Sequence, residues 1–174
     1  MPRFAVGDRV QLTGDISRFY PSIIGVVITD REYPASVLSQ YRIRLADGSV
    51  ATFFDFQLLS PPAVRAYVSF DSAVTKDETN PDGTLNGRQV YLVAAGVEIR
   101  LNISGLAGTS VRGQVSSGKT PAPRALITLV RDNDPIETKP TDDAGEFEFQ
   151  NLEPGGIKIE TLLPGKRILT SLIL

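Results

Sequence analysis

The chain has 174 residues, with 18 Lys and Arg against 20 Asp and Glu, a net charge of −2, and hydrophobic residues at 41%. That length is enough for one sizeable domain or two small ones, and the near-neutral charge gives no global pull toward nucleic acid or anionic lipid. The absence of Cys and His rules out disulfides, thiolate nucleophiles, Ser-His-Asp catalysis and every His- or Cys-based metal set, which leaves enzymatic chemistry to carboxylates and Lys alone.

Residues 1–62 are predicted to form a compact barrel of short strands. Val6-Gly7-Asp8-Arg9-Val10-Gln11-Leu12 turns into an alternating strand, and Ile24 to Ile28 is a β-branched run in which Gly25 marks a bulge or a close backbone approach. Tyr41 to Leu45 alternates and meets Asp47-Gly48, a strong hairpin signal, with Val50 to Phe54 returning along it. Phe56 and Leu58 close the unit before Pro61-Pro62. The six basic residues of this segment, all Arg, are matched by six acidic ones.

In residues 63–110, Val64, Ala66, Val68 and Phe70 alternate with polar neighbours as one half-buried strand. Val97, Ile99, Leu101 and Ile103 alternate as another, after a strand from Gln89 to Ala94 and a hairpin at Ala95-Gly96. Between them runs a long polar loop, 71–87. From Val111 onward, Pro121 and Pro123 lead into the apolar run Ala125 to Val130, and Asp143-Ala144-Gly145 is a turn. Phe147 and Phe149 then alternate with Glu146, Glu148 and Gln150, placing both rings on an inward face. After Pro154-Gly155-Gly156, Ile157 and Ile159 resume that face, and the apolar stretch 168–174 reads as a last core strand or, alternatively, as an edge used in assembly.

Two resemblances follow from these residues. Gly113, Val115, Pro121, Ala125, Ile127, Leu129, Thr141, Asp142, Asp143, Gly145, Phe147, Phe149, Leu152, Pro154 and Gly155 resemble the carboxypeptidase regulatory-like domain of the transthyretin-like and CnaB-like group. The pattern G-D-x-V, P-x-x-x-G-x-V, Y-x-I-x-L-x-D-G resembles SH3-like barrels of the KOW, Tudor and nitrile-hydratase-β type. They imply an all-β chain: an SH3-like barrel over 1–62, then a transthyretin-like β-sandwich of seven to eight strands over 63–174. The first resemblance implies a non-catalytic module attached to many different proteins, and fold alone does not license a function.

Candidate sites are few. Glu78 to Gly83 has alternating oxygen donors, but Pro81 interrupts it and Gln89 stands where a calcium loop needs a bidentate Glu, so a solvated turn is expected. Asp142, Asp143, Glu146 and Glu148 are dense in carboxylates but sit on a turn and an outward strand face, where burial cannot drive their pKa values apart. A Lys–Asn isopeptide bond is not expected, since Arg112 stands where the Lys would be and the last strand has neither Asn nor Asp.

The remaining candidate is a partner-binding surface on the barrel loops. Phe19, Tyr20 and Tyr33, with Arg18 and Arg31, form the candidate set, because exposed aromatics on a small barrel are suited to grip peptides or Pro-rich segments. Tyr41 and Phe56 read as core filling. Arg42 and Arg44 add cations, but the balanced charge argues against nucleic acid.

The expectation is a non-enzymatic, protein-binding adaptor or accessory subunit of a larger bacterial system, with no cofactor or metal. The alternative is a structural component of a surface fibre or particle, assembled through 168–174. With no signal peptide or membrane-spanning run in the sequence, a cytoplasmic protein is expected, or an extracellular one if a leader has been removed.

Overall fold

A computed structural model describes residues 3–31, 39–71, 87–104 and 109–174. The chain is all-β, with three sheets. The first is an antiparallel sheet of β1 (Arg9–Leu12), β2 (Ile24–Arg31), β3 (Gln40–Leu45), β4 (Val50–Phe54) and β5 (Leu58–Leu59), in the order β4-β3-β2-β1-β5. Asp47 and Gly48 make the β3–β4 turn, with the Gly48 φ at +85°. Gly25 is a close approach: a Cβ there would stand 2.6 Å from the Arg44 carbonyl oxygen. The sheet is not a closed barrel. A 3-10 turn, Asp55–Gln57, joins β4 to β5, and those two edges do not pair with each other among the described residues.

The other two sheets pack face to face. One holds β7 (Tyr67–Asp71), β8 (Arg88–Ala94), β9 (Val97–Ser104), β10 (Thr109–Ser117), β11 (Thr120–Pro121) and β14 (Glu146–Leu152), with β14 and β11 sharing one edge of β10. The second holds β13 (Asp134–Pro140), β12 (Leu126–Arg131), β15 (Gly156–Leu163), β16 (Lys166–Ile173) and β6 (Ala63–Arg65), in that order. Strict alternation carries Leu92, Ile99, Leu101, Val111, Phe147 and Phe149 inward from the first, against Ile127, Leu129, Ile157, Ile159 and Ile168 from the second. The two phenylalanines meet edge to face at 5.8 Å. Gly113 lets that contact form, since a Cβ there would stand 2.6 Å from the Phe147 ring and 2.8 Å from Leu101.

Two features differ from the sequence expectation. The stretch 63–71 is two strands: β6 runs parallel to β16, then the chain crosses at Ala66 and β7 pairs with β8 in the opposite sheet. As a result Val68 and Phe70 lie exposed on an edge strand, not half-buried. Among the described residues the sandwich also holds eleven strands, not seven or eight. Most of the excess comes from short pieces and from β13, whose hairpin turns on Asp132 and Asn133, both with positive φ. In keeping with the core-strand reading of 168–174, β16 lies between β15, along its length, and β6, over Arg167 to Leu169.

Candidate protein-binding face

The aromatic residues of residues 3–59 divide by burial. Tyr41 is fully buried, and its hydroxyl accepts the amides of Arg3 and Phe4 at 2.8 and 3.3 Å. Tyr20 is half-buried, with its ring edge-on to the core residue Phe53 at 5.1 Å, so it braces the core more than it displays a surface. Phe19 stands 78% exposed at the end of the 3-10 segment Gly14–Phe19, and the exposed Arg18 lies 3.5 Å from Asp15. Arg31 ends β2 but its side chain is outside the described residues, as is all of Tyr33. Of the three residues of the expected set whose side chains are described, Phe19 and Arg18 are displayed and Tyr20 is half-buried.

Phe56 corrects the sequence reading most. It is 60% exposed, not core, and stacks on Phe54 with ring centres 5.7 Å apart and planes within 6° of parallel. The turn beneath the pair is pinned at three points. The Phe54 amide donates to Gln57 Oε1 (2.9 Å), the Phe56 amide to Asp55 Oδ1 (2.7 Å), and Arg3 Nη1 to the Asp55 carbonyl (3.2 Å). The rings are thus preset, which lowers the ordering cost of any partner that docks on them.

Strand alternation decides what lies beside these rings. Gln40, Arg42 and Arg44 of β3 face outward, opposite Phe54, Thr52 and Val50 of β4. The β1–β2 half of the same outer face is covered. Ile24 and Ala46 pack with Leu126 and Leu162 of the sandwich, and Arg9 Nε lies 3.2 Å from Glu160. The Gly165 amide donates to Gln11 Oε1, and Arg124 Nη1 donates to the Pro21 carbonyl at 3.1 Å. Burial pulls the Arg9 pKa below its ordinary value, against the opposing attraction of Glu160. The uncovered half therefore carries Arg42, Arg44, Val50, Thr52 and the Phe54–Phe56 pair. The Arg42 and Arg44 guanidinium groups have no ion-pair or hydrogen-bond partner among the described residues.

In the Asp142–Glu148 segment, the carboxylates of Asp142 and Glu148 have structural partners. Asp142 Oδ1 accepts the amides of Ala144 and Glu146 at 2.9 and 2.8 Å and so shapes its own turn. Glu148 lies 3.5 Å from the exposed Arg112. Glu78 to Gly83, and most of the loop 71–87, lie outside the described residues. Among the described residues there is no group of three or more acidic side chains placed to hold a metal ion, and no helix long and apolar enough to cross a membrane.

A cavity of about 680 Å³ opens at one end of the sandwich beside Ile157 and Leu172. At its rim Arg88 holds Asp71 through two bonds (2.8 and 2.5 Å) and the Ile173 carbonyl at 2.6 Å. The bond to Asp71 raises the Arg88 pKa, and the guanidinium is spent on internal partners.

Comparison of the chain with protein-family models, with curated proteins and with solved structures gives no match in any of the three. The outward phase of Phe54 had a legible signal, whereas the exposure of Phe56 rests on the turn itself. Phe53 alternates inward between Tyr41 and Leu58, so Phe54 must point outward, and a turn that begins at Asp55 brings Phe56 back beside it.

Proposed function

We propose that this chain is a non-enzymatic protein-binding adaptor or accessory subunit, in which an SH3-like unit presents the binding face and a transthyretin-like sandwich holds it. The meander β1 to β4, with β5 folded back on β1 after a 3-10 turn, supports the SH3-like reading. Two sheets packed over a shared aliphatic and phenylalanine core support the other. The observation that carries the function is the preset stack of the exposed Phe56 on the half-buried Phe54. Large rigid aromatics displayed beside arginines are the residues that dominate protein-binding energetics. The pairing of β16 with strands of its own chain on both sides gives the fibre reading less support.

An unbiased displayed-peptide library panned against the whole chain tests this. Enriched peptides should lose about tenfold or more in affinity for Phe56→Ser, as expected when an interface anchor is truncated. The exposed position leaves the melting temperature unchanged. A library that enriches nothing, or peptides that bind Phe56→Ser as well as wild type, would overturn the proposal.

A further inference from the structure

Resting on that reading, we infer that the segment gripped by this face is an extended acidic peptide with carboxylates at alternate positions. Three observations carry it. Arg42 and Arg44 lie on the same side of β3, two residues apart, which sets their Cα atoms roughly 6.8 Å from each other. An extended peptide repeats its own side chains at that interval, so Asp or Glu at positions i and i+2 meets both guanidinium groups at once. Each guanidinium has the fork geometry to take a carboxylate through two bonds.

Among the described residues neither arginine has a carboxylate partner to lose on binding. The residues opposite them on β4 are Thr52 and Val50, and the two described carboxylates that flank β4 have other partners: Asp47 accepts the Ser49 amide and hydroxyl (2.9 and 2.6 Å), and Asp55 accepts the Phe56 amide. Two exposed cations on one strand face, with no partner among the described residues, leave a positive site there. Past Thr52 the same row ends in the Phe54–Phe56 stack, which offers an apolar side chain or a proline ring a flat surface.

The sandwich bounds the face on the β2 side through Ile24 and Val26. The cationic strip is therefore short and one-sided. It suits a few residues of peptide better than the long phosphate track of a nucleic acid, and the segment as a whole balances six basic residues with six acidic ones.

The test measures fluorescence anisotropy with the whole chain and three labelled probes. These are a peptide alternating Glu with Thr and ending in Phe-Pro, its Gln-for-Glu counterpart, and a single-stranded oligothymidine. The acidic peptide should bind at least about tenfold more tightly than its Gln counterpart and weaken with added salt. The double variant Arg42→Glu/Arg44→Glu should lose that preference and gain one for a Lys-for-Glu peptide, a charge swap that unfolding could not produce.

Tighter, arginine-dependent binding of the oligothymidine would overturn the inference in favour of nucleic acid. If the displayed library enriches peptides that need Phe56 but carry no acidic residues, the acidic assignment fails while the adaptor reading stands. If it enriches none, both fall.

Discussion

Thr161 gives the sharpest test of the packing. It is fully buried on the inward side of β15, directly across from Ile127 on β12 and Ile168 on β16, and its hydroxyl has no hydrogen-bond partner. An unsatisfied hydroxyl in an apolar layer costs about 1–3 kcal/mol relative to its hydrated state. Thr161→Val replaces that hydroxyl with a methyl group of similar size. Both residues are β-branched, so strand propensity and χ1 freedom hardly change. The variant should therefore be more stable by about 1–2 kcal/mol, worth about 2–8 °C in melting temperature for a chain of this size.

The same substitution at Thr141 should have the opposite sign. That residue is also buried, but its hydroxyl donates to the Ala122 carbonyl at 2.6 Å and accepts the Ala125 amide at 2.9 Å. Thr141→Val strands both main-chain groups in the interior and should cost about 2–4 kcal/mol. Guanidinium melts of the two variants, run beside wild type with equal slopes, read the pair directly. If Thr161→Val destabilises, or the two shifts share a sign, the assignment of a dry, apolar surrounding to Thr161 is wrong.

Two further outcomes follow from the same coordinates. Gly113→Ala drives a methyl into Phe147 and Leu101 and should cost about 1–3 kcal/mol, whereas Gly156→Ala, with open space at its Cβ position, should leave the denaturation midpoint nearly unmoved. Equal effects at the two glycines would refute the close approach. Asp47 is held below the ordinary carboxylate range, chiefly by the Ser49 hydroxyl. A depressed folded-state pKa adds stability that is present above the unfolded value and lost as pH falls through the folded one. The residue is exposed, so the effect is small. A carbon-detected NMR titration should place its midpoint below that of a free Asp, and Ser49→Ala should move it back up; an unshifted midpoint in wild type would contradict the hydrogen bond.

Much of the fold is legible in the sequence because its causes are local. Alternation with period two puts Phe147, Phe149, Ile157 and Ile159 on one side, and Asp47-Gly48 and Asp143-Ala144-Gly145 dictate turns whatever surrounds them. Asp132-Asn133 carried the same kind of signal for the β12–β13 hairpin, hidden by its position at the end of an apolar run. The binding face is less legible. Phe56 has the composition of a core residue, and nothing within its own neighbourhood says that the 3-10 turn leaves it outside.

What the sequence determined by itself, then, is the strand content, the inward phenylalanines and the lack of His and Cys chemistry, since each depends on residue type and short spacing. What the tertiary structure decided is which sheet each strand joins and which faces are covered. The alternation from Val64 to Phe70 is unbroken, yet the chain changes sheets at Ala66, because β6 pairs with β16, far along the chain, while β7 pairs with the nearer β8. Leu126 and Val130 look like parts of one apolar run, but that run is buried on both sides for two reasons: the facing sheet on one, and on the other, at Leu126, the contact with Ile24 and Ala46. That second contact also sets the function proposed here. By covering half of one outer face it leaves Arg42, Arg44, Phe54 and Phe56 as the half that remains free to bind.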